Sequence, residues 1–207
     1  MRTTSIPSLA TAILICCALQ AIGQEVRLGG GWSGSNVREA GDQMWTGQAG
    51  YLLGADVLLG GQWFLRSGAH LHVRNLNYTM AGTTPDGEVV GTDVEYRYTS
   101  RSLRVPAHVG LRLIDPVSDP ALNIYVFGGP TALMALSADL RNDALEVETR
   151  PAQWQLGFGG GVELGFLFAE AGYDVAMTNV FKGEVFSTNP RVNNAYLTGG
   201  MRLRLAR

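Results

Sequence analysis

A closed, eight-stranded antiparallel up-and-down β-barrel is the fold class that the sequence predicts, and three observations predict it. Apolar and polar residues alternate with period two in run after run of ten or more residues. No stretch from Glu25 onward carries a helical period. The connections between runs alternate in length, long and polar at 34–47, 79–94, 137–151 and 180–194, short at 59–62, at 115–120 and at Gly165. An even number of strands that meander in this way places long loops on one rim and tight turns, with both termini, on the other.

The elements follow in chain order. Strand one is expected near 25–33, with Arg27 on one face and Trp32 on the other, and strand two near 48–58, with Asp56 set against Tyr51. Strand three, 63–78, carries Trp63 on the apolar face and Arg66, His70, His72 and Arg74 on the opposite one. The clearest alternation is strand four, 95–114: Leu103, Val105, Ala107, Val109, Leu111 and Leu113 share a face, against Arg104, Pro106, His108, Gly110 and Arg112. Strand five is expected at 121–136 by the same rule. Strand six, 152–164, sets Trp154, Leu156, Phe158, Val162 and Leu164 against Gln153, Gln155, Gly157 and Glu163. Strand seven, 166–179, sets Leu167, Ala169, Ala171, Tyr173, Val175 and Met177 against Glu170, Gly172 and Asp174. Strand eight, 195–206, sets Leu197, Met201, Leu203 and Leu205 against Tyr196, Thr198, Gly200, Arg202 and Arg204.

Composition narrows the function classes. The 207 residues carry 16% charged side chains and a formal charge of −2, so no basic surface for nucleic acid is present. Lys182 is the single lysine, and the other basic residues are arginines, which suit planar paired contacts. The N-terminus reads as an export signal over residues 1–23: Arg2 is the positive end, Leu9 to Leu19 is apolar apart from Thr11, and Ala21, Ile22 and Gly23 are small or apolar before a cut ahead of Gln24. Both cysteines, Cys16 and Cys17, lie in that segment, so the mature chain at 24–207 has neither a disulfide framework nor a thiolate metal site. Lipidation is the competing reading, but Ile15 and Cys16 stand where a small residue normally precedes a lipidated cysteine.

Alternation does not say which face is inside. A soluble barrel that carries an apolar ligand has the same pattern with the oily face inward. Four features favour a transmembrane barrel. The strands reach or exceed the roughly 9–11 residues that cross a bilayer at a tilt. Aromatic residues, Trp32, Tyr51, Trp63, Trp154 and Tyr173, join the aliphatics of the apolar face, several near strand ends. The polar face is crowded with glycine and arginine, and lysine is almost absent. In a membrane, each lipid-facing arginine near mid-bilayer costs about 2–4 kcal/mol, so the charged face must turn inward. The expected lumen network is then Arg27, Asp56, Arg66, His70, His72, Arg74, Arg104, His108, Arg112, Glu163, Glu170, Asp174, Arg202 and Arg204, paired because unpaired buried charge is costly. Eight strands leave room for side chains and little else.

Several segments carry a family resemblance across essentially the whole mature chain. They are Gly50 to Gly54 leading into Leu71, His72 and Val73; Ser102 to Pro106, which looks like a Leu-x-x-Pro strand; Tyr125 to Pro130; Gly157 to Glu163; and Tyr173 to Asn179. The chain resembles the outer-membrane β-barrel domain family of porin-like, PorT-type proteins, small barrels of the general OmpX and OmpA architecture. The resemblance implies a bacterial outer-membrane location, membrane lipid as surroundings, and interaction through external loops. The chain departs from the pattern at its end, where Leu203 to Arg207 lack the aromatic residue that such barrels often present to the insertion machinery.

Candidate chemistry is sparse, and neither a cofactor nor a catalytic group is expected. His70 and His72, two apart on one strand face, can offer two imidazoles to one metal, but no third ligand follows and arginines surround them. Ser67 and Ser100 have no base obviously beside them. The glycines at 157–161 would need a following helix to cradle phosphate, and none is predicted. Acidic clusters at Asp86, Glu88, Asp93 and Glu95, and at Asp139, Asp143, Glu146 and Glu148, match no ordered calcium motif and read as solvated loops. The expected role is structural or interactive, through loops 34–47, 79–94, 137–151 and 180–194, with surface or envelope proteins as partners. A soluble apolar-ligand carrier and a narrow porin-like channel are the alternatives.

Overall fold

The computed structural model describes residues 24–38, 45–83, 89–114, 121–140, 150–180 and 191–205. Eight strands form one closed antiparallel barrel in chain order: β1 (Gln24–Arg38), β2 (Trp45–Gly60), β3 (Trp63–Thr83), β4 (Val89–Arg112), β5 (Leu122–Leu140), β6 (Ala152–Leu164), β7 (Leu167–Ala176) and β8 (Arg191–Arg204). Closure comes from β1 pairing with β8, with Glu25 opposite Arg204 and Arg38 opposite Arg191. A closed ladder satisfies the backbone of every strand and leaves no sheet edge, which hydrocarbon would not tolerate.

The sequence periodicity becomes inside and outside without a slip in the lower part of each strand. In β6, Gln153, Gln155, Gly157 and Glu163 are buried while Trp154, Leu156, Phe158, Val162 and Leu164 are exposed. In β4, Arg112 is 3% exposed and Val109 50%. The tight rim is made by Gly60 and by Gly165, whose backbones have φ of 128° and 57°, conformations that side chains disfavour.

Strand boundaries depart from the sequence reading on the other rim. Much of 34–47 and 79–94 is strand: β1 runs to Arg38, β2 begins at Trp45, and the β3–β4 ladder continues to Thr83 opposite Val89. Likewise β5 reaches Leu140 and β8 starts at Arg191, whereas β7 stops at Ala176. Beyond the apolar belt each backbone donor still gains by pairing with its neighbour, whatever side chains the strand carries. Asp93, Glu95 and Asp139 therefore belong to strands; Asp86, Glu88, Asp143, Glu146, Glu148 and the export segment 1–23 lie outside the described residues.

Two prolines interrupt the ladder of β4. Pairing with β3 passes from Ser67–Ala107 to His70–Arg104, and pairing with β5 from Pro106–Thr131 to Val109–Gly128, in unchanged register. Pro106 and Pro130 have no N–H to donate at these positions. A bulge in β2 between Gln48 and Tyr51, and another irregularity opposite Arg101 and Ser102, shift the register nearer the long-loop rim.

Candidate functional site

The barrel interior is built in layers. At the short-turn end, Glu163 of β6 accepts hydrogen bonds from Arg27 Nη2 and Arg202 Nη1, with Arg112 Nε 3.6 Å away. Glu25 receives Arg27 Nε at 2.7 Å and Arg112 Nη2 at 3.2 Å. The same arginines anchor the turns: Arg112 Nη1 donates to the Gly61 carbonyl at 2.6 Å, and Arg202 Nε to that of Gly165 at 2.7 Å. Arg204 closes this end from the mouth, 3.7 Å from Glu25 and about a third exposed at its side chain, because β8 has reached the rim by that residue. It is a mouth residue rather than the lumen residue expected.

In the middle layer, Arg66 bridges Asp56 and Glu170 at 2.7 Å each, and Tyr125 donates its hydroxyl to Glu170 at 3.0 Å. His70 Nε2 lies 3.2 Å from Asp56 Oδ2, on the carboxylate oxygen that Arg66 also uses. Arg104 binds Asp174 through Nε at 2.9 Å and Nη2 at 3.1 Å, a bidentate pair that fixes guanidinium orientation. His108 meets Thr131 Oγ1 at 3.0 Å and stacks on Phe127 with centroids 5.2 Å apart. A cavity of about 10 Å³, the size of one water, lies between Asp56, Arg66, His70, Arg104, Glu170 and Tyr196.

Toward the long-loop rim, His72, Arg74 and Ser100 are buried, and Arg74 Nη1 meets Gln153 Oε1 at 3.5 Å. All the expected inward residues other than Arg204 are thus buried. His70 and His72 share a face, but no group of three His, Asp or Glu among the described residues is arranged to hold a metal. Ser67 points outward, away from the histidines.

Sequence reasoning missed two components. One is Glu25, 3% exposed, the first residue of the predicted strand one, where too few residues precede it for alternation to fix its face. The other is aromatic: Phe64, Tyr125, Phe127 and Phe168 are buried in the lumen beside Tyr196, the one of these rings that the alternation of strand eight had placed on the polar face. Arginines lie over these rings, Arg27 4.6 Å from the Tyr125 centroid and Arg104 4.8 Å from that of Tyr196, so charge and π-face are desolvated together. Inward glycines make the space. A Cβ on Gly161 would come within 2.5 Å of the Tyr125 hydroxyl, and one on Gly29 within 2.7 Å of Phe168 Cζ. That matching of glycine to ring needs the register between strands, so alternation along one strand cannot reveal it.

Outside, the barrel presents Leu28, Leu53, Val57, Leu65, Ile124, Leu156, Phe158 and Met201, each two-fifths exposed or more. Trp32 lies beside Tyr51 on neighbouring strands, Trp154 is exposed on β6, and Trp63 stands at the short-turn end with 66% exposure. Exposed polar residues bound this belt on the long-loop side: Asn36, Gln48, Arg97, Arg101 and Ser137. With Arg112 buried and Phe158 exposed, the interior is charged and the exterior oily, the reverse of a soluble apolar-ligand carrier.

No protein-family model matches the chain, and no curated protein does. Among solved structures, it is similar to Ail, the attachment invasion locus protein of Yersinia pestis, in complex with the heparin analogue sucrose octasulfate: 17% identity, 87% of this chain and 99% of that one covered, TM-score 0.44. The same protein in a phospholipid bilayer nanodisc gives 16% identity, 88% and 99% coverage, and TM-score 0.37. The translocator domain of the autotransporter NalP from Neisseria meningitidis gives 11%, 94% and 96%, and 0.25.

Proposed function

We propose that this chain is a bacterial outer-membrane barrel whose lumen is sealed by its own side chains and whose role is to hold a platform of external strands and loops toward partners. The observation that carries this reading is the inversion of the barrel: Arg27, Arg66, Arg104 and Arg112 inside, and Leu156, Phe158, Trp154 and Val109 outside, around a ladder without an edge. Water would penalise that exterior, and hydrocarbon requires it. The 13 residues of β6, at about 3.3 Å each and a tilt near 45°, rise about 30 Å, the thickness of a bilayer core.

The interaction role is supported by how far β3 and β4 run past the belt. Arg101 is exposed on β4, and pairing continues beyond it to Thr83–Val89. This hairpin, with the segments 34–47, 137–151 and 180–194, forms the platform. Residues 1–23 serve as the cleaved export signal. The chain is a PorT-type member of the small-barrel class, on the strength of the segments 102–106, 125–130 and 157–163. No catalytic step is assigned to it.

The test is fractionation of cells expressing the full chain. The protein should enter the detergent-extracted envelope fraction and migrate faster on a gel before heating than after. Recovery in the soluble fraction without detergent overturns the reading. A channel, the second possibility for such a barrel, is excluded by planar bilayers that stay electrically silent with verified folded protein. Shortening the hairpin between residues 79 and 94 should abolish binding to surface or envelope proteins while leaving insertion and heat-modifiable migration unchanged.

A further inference from the structure

Charge is distributed unevenly along the barrel axis. Among the described residues six arginines and five carboxylates are buried, and the carboxylates Glu25, Asp56, Glu163, Glu170 and Asp174 all contact Arg27, Arg66, Arg104, Arg112 or Arg202. Arg74 is the sixth arginine. It is 2% exposed, and among the described residues no carboxylate pairs with it. Its polar neighbours are the Gln153 amide and the Tyr98 hydroxyl, which hydrogen-bonds to it. Its Nε and Nη2 have no hydrogen-bond partner among the described residues, and neither do Ser100 Oγ, opposite it in the β3–β4 register, or His72 Nε2, two residues along the same face.

A buried guanidinium without a counter-charge is far costlier than a paired one, and it is satisfied by whatever anion can reach it. Arg74 and Ser100 face each other as one inward pair of the β3–β4 ladder, and the next such pair toward the long-loop rim, Leu76 and Tyr98, is also buried, so an ion held by Arg74 is enclosed by side chains of the lumen. We propose that the long-loop end of the lumen binds one small inorganic anion, held by Arg74 Nε and Nη2 and by the Ser100 hydroxyl. One uncompensated positive charge calls for a monovalent ion, since a dianion would leave a buried negative charge in its place. Chloride fits this description and is the probe.

The experiment uses the full chain folded in detergent micelles. Its unfolding is followed while sodium chloride replaces sodium gluconate at constant ionic strength. Wild type should gain stability saturably, its unfolding constant falling about elevenfold at a chloride concentration ten times the dissociation constant. Arg74→Met should lose the chloride dependence and in gluconate be at least as stable as wild type. Ser100→Ala, a smaller change, should fold and need several-fold more chloride for half the effect. Equal stability of wild type in the two salts overturns the proposal and points to a carboxylate of this chain as the counter-charge. So does an undiminished chloride effect in Arg74→Met, or, should that variant not fold, an unshifted titration in Ser100→Ala.

Discussion

At the scale of single residues, Glu163 has the most demanding position, because one carboxylate serves Arg27 and Arg202 and lies near Arg112. Glu163→Gln leaves two buried guanidiniums short of a counter-charge and should destabilise the folded barrel by about 3–5 kcal/mol, read from denaturant unfolding in lipid vesicles. A Glu163→Gln variant as stable as wild type would show that water enters this layer and solvates the arginines. Steric demand is as local. Gly161→Val should cost about 1–3 kcal/mol by driving Tyr125 from its place beside Glu170 and Arg27, and Gly161→Val combined with Tyr125→Phe should recover part of that loss. The inward arginines were legible in the sequence because a charge on one parity of an oily strand stands out. Tyr125 and Phe168 were not, since an aromatic on the polar parity resembles noise until its glycine partner on a nearby strand is known.

Within elements, the same side chain has different consequences on the two faces and at different heights. Leu156 is exposed near the middle of β6, and Leu156→Arg should cost about 2–4 kcal/mol in lipid vesicles and reduce insertion. Gln48→Arg, on β2 beyond the belt, should stay within about 0.5 kcal/mol of wild type. Equal costs for the two substitutions would place the membrane boundary elsewhere. The existence and order of the eight strands could be read from alternation, but not their full lengths. Outside hydrocarbon the backbone pairs without asking for apolar partners, so β3 and β4 continue to Thr83 and Val89 through residues whose pattern looked like loop. Pro106 shows the converse: a residue that reads as a strand breaker is held in a long strand by pairs on both sides of it.

For the whole molecule, closure is the decisive property. A two-residue shift of β8 against β1 would set Glu25 against a different residue than Arg204 and move the lower charge layer out of step with Glu163. The barrel should therefore unfold as one cooperative unit. Removing β8 by truncation after residue 190 should abolish heat-modifiable migration altogether rather than give a smaller folded species, which gel mobility before and after heating measures directly.

Alternation of oily and polar residues along single strands was enough, by itself, to determine that the chain is an antiparallel barrel of eight strands and that the arginines and carboxylates within its apolar span share one face. Local chemistry fixes both, because side chains alternate across a pleated strand and because turns need glycine. Only the closed tertiary structure decided which face is interior, which arginine meets which carboxylate, and which glycine yields to which ring. Those are contacts between residues as far apart in the chain as Arg27 and Glu163, and they exist only when the first strand meets the last.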